Sequence, residues 1–135
     1  MSGLVLPVVD DVNRPFWDGC REGVLRLQRC GGCDRLRYPI STVCPHCTSC
    51  TVEWEAVSGS GTVYSFAVFR HAYNDAWRER VPYVVALVEL AEGPTMISNV
   101  VGVAPEEVRV GQAVSVVFDA VAPEISVPQF VPEQR

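Results

Sequence analysis

Residues 29–50 read RCGGCDRLRYPISTVCPHCTSC and contain two C-x-x-C pairs, Cys30/Cys33 and Cys44/Cys47, with ten residues between them. A C-x-x-C turn can aim both sulfur atoms at one point, so two such turns on facing hairpins supply four thiolates in a tetrahedron. Structural zinc takes this coordination, with Zn–S distances of ~2.3 Å and no position open to water. Because a doubled C-x-x-C is far more specific than a single pair, the stretch predicts a rubredoxin-like zinc ribbon.

The sequence leaves other uses of the cysteines open. The chain has six cysteines, which could form disulfides, but a reducing cytosol favours metal binding. A rubredoxin-type iron site also uses four thiolates. Cys47 and Cys50 form a further C-x-x-C pair; we prefer Cys44/Cys47 because it keeps a loop of ordinary ribbon length. We expect His46 to face solvent and Cys20 to be a small buried residue on a helix.

Composition narrows the class of protein. A chain of 135 residues with 48% hydrophobic residues fits one domain, or one domain with a small appendage. No apolar run approaches the ~20 residues of a membrane helix, and the N-terminus lacks the features of a signal peptide, so we expect a cytoplasmic protein. The formal net charge is −5 and the chain has no lysine. Such an acidic balance argues against binding to the phosphates of nucleic acids.

The chain divides into three expected segments. Residues 1–23 form an N-terminal arm and a docking helix, with the helix predicted over 15–23 and carrying Phe16 and Trp17 on one turn. Nine residues are too few for a helix that is stable alone, so it must dock on its own domain or on a partner. Residues 24–51 form the zinc ribbon, with strands predicted at 24–29 and 36–40.

Residues 52–135 predict an OB-fold. An alternating segment at 52–57 is followed by β-branched and aromatic runs, which predict strands at 62–69, 82–90, 95–103, 113–121 and 125–131. The last of these contains a proline and is predicted to be an edge strand. One helical turn is expected at 104–109. Five short strands with a helical insert after the third follow the order of a small Greek-key barrel, so the fold class is mainly β.

Reactive groups are few in this sequence. It has no G-x-S-x-G elbow, P-loop or H-E-x-x-H motif. Without lysine, Schiff-base catalysis by a side chain is impossible, and a zinc ion held by four cysteines cannot activate water. Of the two histidines, only His71 is available as an acid or base. We therefore expect a binding or scaffolding role and assign no catalytic residue.

Two regions are candidate ligand surfaces. The loop after the first long barrel strand combines aromatic residues with arginine, a composition typical of interfaces and of surfaces that stack nucleotides. Arginines also flank the first C-x-x-C pair, where they either offset the thiolate charge or meet phosphates of a ligand such as coenzyme A. With the helix, the candidate contacts to a partner or to acyl-CoA are Phe16, Trp17, Arg35, Arg37, Arg70, His71, Tyr73 and Trp77.

Six segments carry a resemblance to a known family: FWDGCREG at 16–23, LQRCGGC at 27–33, CPHC at 44–47, VSGSGTVYSF at 57–66, PYVVALVEL at 82–90 and VRVGQAV at 108–114. Through them the chain resembles the zinc-ribbon, OB-fold proteins associated with acyl-CoA metabolism, over nearly its whole length. Members of that family are small partners of thiolase-superfamily enzymes, usually encoded beside them. Such pairs act on acyl-CoA thioesters in lipid, steroid, aromatic or polyketide pathways.

The resemblance implies a function. In some family members the partner is a lipid-transfer-type thiolase homologue that works as a retro-aldolase and shortens a steroid side chain. It implies a non-catalytic subunit that helps form the partner's acyl-CoA site, in a heterotetramer with two copies of each chain. The family's zinc ligands fall on Cys30, Cys33, Cys44 and Cys47, whereas Cys20 and Cys50 are extra.

Three other functions stay open on sequence alone. The chain could bind acyl-CoA on its own as a carrier. It could bind nucleic acid, because zinc ribbons and OB-folds both do so in other proteins, although its acidic charge argues against this. It could also be an enzyme in its own right, with His71 as the base.

Overall fold

The computed structural model describes residues 7–71 and 81–133. Helix α1 (Arg14–Glu22) begins beside Pro15, whose fixed φ suits a first turn. It ends at Gly23, which takes the left-handed conformation (φ 83°) that terminates many helices. All other described elements are strands, apart from one 3₁₀ turn at Pro105–Glu107. The mainly-β prediction is therefore confirmed, and no helix in the described ranges is long and apolar enough to cross a membrane.

The ribbon is a three-stranded antiparallel sheet. Its central strand β1 (Arg26–Cys30) pairs with β2 (Leu36–Arg37) on one side and β3 (Val52–Ala56) on the other. β2 is shorter than the predicted 36–40 segment, since Pro39 has no N–H to extend the ladder. β3 lies beyond residue 51, where we expected the ribbon to end, yet it pairs along its whole length with β1. The alternating segment at 52–57 thus belongs to the ribbon sheet.

The five remaining strands close into a barrel: β4 (Ser60–Phe69), β5 (Tyr83–Leu90), β6 (Thr95–Val100), β7 (Ala113–Ala122) and β8 (Ile125–Pro132). Their order is β4-β5-β6-β8-β7, with the 3₁₀ turn between β6 and β7. This arrangement confirms the predicted OB-fold.

The prediction that the last strand lies at an edge is wrong. β8 pairs with β7 antiparallel and also with β6, in parallel, at Val100↔Phe130. Pro128 is tolerated there because the pairing with β6 is short. Beside it, Ser98 Oγ donates a hydrogen bond to the Pro128 carbonyl at 2.9 Å.

A single cluster of buried side chains joins the helix, the ribbon and the barrel. Phe16 and Cys20 enter it from α1, Leu27 from β1, and Val88 and Phe130 from the barrel. The helix contacts β1, β7 and β8 of its own chain. Its apolar face is therefore covered within this chain, and the two β units share one core.

Gly59 marks the passage from the ribbon sheet to the barrel. It has a φ of 79°, and its carbonyl accepts a hydrogen bond from the Val116 N–H at 2.8 Å. A Cβ at this position would overlap the Val116 side chain. The glycine lets β3 and β4 follow each other in sequence while belonging to different sheets.

Candidate functional site

The four predicted cysteines converge on one point. The Sγ atoms of Cys30, Cys33, Cys44 and Cys47 all lie within 4.8 Å of one another. Cys30 and Cys47 are 3.5 Å apart at sulfur, and Cys33 and Cys44 are 3.7 Å apart. A tetrahedron with Zn–S distances of ~2.3 Å has S–S edges of ~3.8 Å, so the cluster has the dimensions of a four-thiolate metal site.

The two C-x-x-C turns have the same backbone geometry. In the first, the Asp34 N–H donates to the Cys30 carbonyl at 3.0 Å, and Asp34 has a φ of 65°. In the second, the Thr48 N–H donates to the Cys44 carbonyl at 2.9 Å, and Thr48 has a φ of 66°. This equivalence makes Cys44/Cys47 the second pair of the cluster.

Backbone N–H groups point at the cysteine sulfurs. Cys33 N–H and Gly32 N–H donate to Cys30 Sγ at 3.4 and 3.3 Å. These bonds, that from Cys33 first, hold the pKa of the Cys30 thiol at about 6, well below its ordinary value. The His46 N–H donates to Cys44 Sγ at 3.4 Å. Hydrogen bonds of this kind stabilise the thiolates that a metal ion requires.

The other candidate ligands lie outside the cluster. Cys50 is exposed and contributes no sulfur to it. His46 contributes only its backbone N–H and has an exposed side chain. Cys20 is 1% exposed, and burial raises its pKa to about 12, so it stays a neutral thiol in the core. Four sulfurs with two of the cysteines buried would fill the coordination of a zinc ion, which can then hold the ribbon together but has no position for a substrate.

The arginines around the first turn have different surroundings. Arg35 is exposed, whereas Arg37 is only 6% exposed. The Arg37 Nη2 donates to the Ser41 carbonyl at 3.1 Å, but its Nε and Nη1 have no hydrogen-bond partner among the described residues. Arg37 therefore does not present its guanidinium on an open surface, as a contact to a phosphate would require.

The two aromatic residues of α1 also differ. Phe16 is 2% exposed and belongs to the core, so the helix presents it inward and not to a partner. Trp17 is half-buried and meets Phe16 edge to face, with ring centroids 4.9 Å apart. The sequence could not show which surface the short helix covers. Its apolar face could pack equally well against its own domain or against a partner protein.

The predicted ligand loop is described only at its start. Arg70 and His71 are exposed, and Arg70 Nη2 lies 3.5 Å from Glu106 Oε1. Tyr73 and Trp77 lie outside the described residues. The structure does not bring the exposed Arg70 into contact with the cysteine cluster.

A groove of about 690 Å³ lies between α1 and the barrel, and we did not predict it from the sequence. Its walls include Trp17, the Tyr38–Pro39 segment, and Tyr83, Val85 and Ile97 from β5 and β6. The signal in the sequence was the run of residues 82–90, which is apolar at positions of both parities and so places apolar side chains on both faces of the strand.

Comparisons with known proteins agree with this architecture. Residues 17–52 match the family model "ChsH2, rubredoxin-like zinc ribbon domain", and residues 54–119 match "ChsH2, C-terminal OB-fold domain". A solved structure described as "Ltp2-ChsH2(DUF35) aldolase" contains a similar chain, with a TM-score of 0.83 and 36% identity. The match covers 94% of this chain and 98% of that one.

Relatives with curated descriptions point the same way. A "probable enoyl-CoA hydratase alpha subunit" of Thermomonospora curvata is 38% identical over 128 residues, which cover 93% of this chain. This chain spans only 39% of that longer protein. A "DUF35 domain-containing scaffold protein" of Methanothermobacter thermautotrophicus is 33% identical, and the match covers 71% of this chain and 72% of the relative. The chain belongs to the DUF35 family, in its ChsH2 form of a rubredoxin-like zinc ribbon joined to an OB-fold.

Proposed function

We propose that this chain is a non-catalytic accessory subunit that binds a thiolase-like acyl-CoA enzyme and helps form its acyl-CoA site. The partner would be a lipid-transfer-type aldolase of the kind that shortens steroid side chains by a retro-aldol reaction. The observation that carries the proposal is the likeness to the ChsH2 chain of a solved aldolase over 94% of this chain.

The chemistry of the described residues supports a scaffolding role. A zinc ion on Cys30, Cys33, Cys44 and Cys47 would have a closed coordination shell, so its contribution would be to fold the ribbon. The name of the similar archaeal relative is also that of a scaffold protein.

Part of the proposed contact surface keeps exposed or half-buried side chains. Trp17, Arg35, Arg70 and His71 are the candidate contacts that can reach a partner or acyl-CoA without rearrangement of the core. Tyr73 and Trp77 stay candidates from sequence alone. We further propose two copies of each chain in the assembly and a cytoplasmic location, where free thiols remain available to metal.

A hydratase subunit is the second candidate function, because one similar relative carries that description. Since this chain spans 39% of that relative, the likeness reaches only part of the protein that bears the hydratase description. A carrier that binds acyl-CoA alone is the third candidate. A carrier would bind acyl-CoA as the isolated chain, whereas the accessory subunit would bind it only in the complex.

Calorimetry separates these functions. The test uses the tagged chain, a thiolase-superfamily protein from the source organism, and an acyl-CoA ligand. We expect the chain to bind that protein, and acyl-CoA to bind the complex but not the chain alone. A Cys30→Ser variant should bind the partner more weakly, because the ribbon, which shares its core with the barrel, would no longer fold. Tight binding of acyl-CoA by the isolated chain would favour the carrier, and turnover by the isolated chain would overturn the accessory role.

A further inference from the structure

The barrel carries an apolar surface on its outside as well as its core inside. Along β5, Val84, Ala86 and Val88 point inward and are buried, so the alternate residues Val85 and Leu87 point outward. The strand register aligns Val85 with Ala67 and Asn99, and Leu87 with Ser65 and Ile97. The register also aligns Phe69 with Tyr83 at the end of these rows. We call the two rows and this pair the outer β4–β6 face; its apolar members are Ala67, Phe69, Tyr83, Val85, Leu87 and Ile97.

This face departs from the usual pattern of a barrel exterior, on which polar residues alternate with inward apolar ones. Ile97 is 63% exposed, and neither of the two registered rows contains a charged residue. The rings of Phe69 and Tyr83 stack at the end of the face with centroids 5.3 Å apart.

The face continues into the groove beside α1. Tyr83, Val85 and Ile97 also line that cavity, opposite Trp17. Polar groups at the boundary already have partners within the chain. Asn99 Nδ2 donates to the Val84 carbonyl at 2.8 Å, and Ser98 Oγ donates to the Pro128 carbonyl at 2.9 Å. The combined surface therefore favours apolar contact, as the centre of a protein interface does.

We propose that the outer β4–β6 face is the surface on which the thiolase-superfamily partner docks, with Ile97 at the junction of the face and the groove; this inference rests on the proposed function. It assigns the docking role to the barrel and to the groove, whose other walls are Trp17 of the helix and the Tyr38–Pro39 segment of the ribbon. Phe16 and Leu27 are committed to the shared core.

Charge selects the kind of partner. Three carboxylates border the surface: Asp10 lines the groove, Glu89 follows Leu87 outward on β5, and Asp119 lines a small cavity beside Tyr83 and Asn99. None of the three forms an ion pair within the described residues. A second copy of this chain would bring a further formal charge of −5 to the complex, and the same carboxylates to its rim. An apolar patch with a basic rim, on a different protein, is the complementary surface.

Two aspartate substitutions test the proposal. Ile97→Asp places a charge where the face meets the groove, and Val110→Asp places the same charge at a residue that is 66% exposed but lies outside the registered rows. The binding partner is the same thiolase-superfamily protein as in the test of the proposed function. Circular dichroism and zinc content establish that both variants are folded before affinities are measured.

We expect Ile97→Asp to weaken binding by about tenfold or more, as for an apolar interface residue that is replaced by a charge, and Val110→Asp to stay within about twofold of the wild type. Asp119→Asn should weaken the complex less and reduce its sensitivity to salt, because rim charges act mainly through long-range attraction. Ile97→Asp binding as tightly as the wild type overturns this inference and leaves the proposed function standing. No binding by the wild type overturns both. A homodimer of the isolated chain that Ile97→Asp dissolves would overturn it too, by showing that a second copy occupies the face instead.

Discussion

Arg29 on β1 holds Glu55 on β3 through two parallel hydrogen bonds, from Nε to Oε1 at 2.8 Å and from Nη2 to Oε2 at 2.7 Å. The third nitrogen of the same guanidinium, Nη1, donates to the Asp34 carbonyl at 2.7 Å, directly after the first C-x-x-C turn. One side chain thus holds both the neighbouring strand and the first C-x-x-C turn to the centre of the ribbon. The hydrogen bonds from Arg29 lower the pKa of Glu55 below its ordinary value.

This pair predicts a pH dependence of stability. A carboxyl group whose pKa is lowered by folding stabilises the folded state fully above its unfolded pKa, and the contribution is lost as pH falls through the folded pKa. The ordinary pKa of Glu55 is 4.5. We expect the difference in unfolding free energy between wild type and Glu55→Gln to be constant at neutral pH and to shrink below pH 4.5. Urea titrations at several pH values measure it.

The comparison with Glu55→Gln removes a complication, because loss of metal at low pH destabilises both proteins alike. A difference that does not change between neutral pH and strongly acidic pH would contradict the assignment of this stabilisation to the ionised pair.

Metal removal is expected to unfold the ribbon first. Structural zinc contributes on the order of 10–16 kcal/mol in small zinc peptides, and the three-stranded sheet here is too small to fold without it. Cys44→Ser should lose the metal, whereas Cys50→Ser should keep it, because Cys50 lies outside the cluster. Elemental analysis of the two purified variants measures the metal content and also distinguishes zinc from iron.

The shared core predicts how far this unfolding spreads. Leu25 and Leu27 pack in the same cluster as Val88 and Phe130, so a chelated protein should have a less stable barrel without losing it. Hydrogen exchange should then show full loss of protection in β1 to β3 and faster, but still measurable, exchange in β5. Unchanged exchange in β5 after chelation would show that the two units are energetically independent.

Gly59 is expected to tolerate no side chain. Its φ of 79° alone disfavours other residues by roughly 1–2 kcal/mol, and a Cβ would also overlap Val116. Gly111 has a similar φ of 90°, but a Cβ there would meet no atom within 4 Å, so Gly111→Ala measures the backbone term alone. We expect Gly59→Ala to cost about 1–3 kcal/mol more than Gly111→Ala, the usual range for overpacking. Equal losses in denaturant unfolding would mean that Val116 moves aside without penalty.

The parts of the structure that could be predicted from sequence are those with local causes. The C-x-x-C turns depend on a few consecutive residues, and the barrel strands have apolar residues at alternate positions over six to ten residues. Pairing partners are not local: the alternation at 52–57 is the same whether β3 joins the ribbon or the barrel. The position of β8 between β6 and β7 depends on closure of the sheet. The presence of Pro128 in the sequence does not show whether the sheet closes.

The candidate site divides in the same way. The convergence of the four cysteines follows from their spacing, but the roles of Phe16 and Arg37 depend on what the rest of the chain places over them. Phe16 became a core residue because β1, β7 and β8 cover its helix. The exposed side chain of Ile97 can be assigned to an apolar face only from the strand register, which aligns it with Leu87.

Arg37 provides a last test, because its burial is not explained by stability. Its guanidinium is nearly inaccessible, yet two of its nitrogens have no hydrogen-bond partner in the described chain. Unpaired buried donors cost roughly 1–3 kcal/mol each in desolvation. Replacing buried ionic groups by well-packed apolar residues of similar volume is often neutral or stabilising. We therefore expect Arg37→Met to unfold at the same denaturant concentration as the wild type or a higher one, although it loses the bond to Ser41.

The measurement pairs chemical denaturation of Arg37→Met with that of Gln28→Met. Gln28 is buried in the same sheet, opposite Arg37, but both ends of its amide are used: Nε2 donates to the Ser41 carbonyl at 3.0 Å, and Oε1 accepts from the Ser41 N–H at 2.9 Å. Gln28→Met should therefore be destabilised by about 1–3 kcal/mol, because it leaves the Ser41 N–H unpaired while the Ser41 carbonyl keeps its bond from Arg37. A larger loss at Arg37 than at Gln28 would show that the guanidinium has an essential structural partner. If Arg37→Met is stable but binds the thiolase-superfamily protein more weakly, the buried arginine serves the assembly and not the fold.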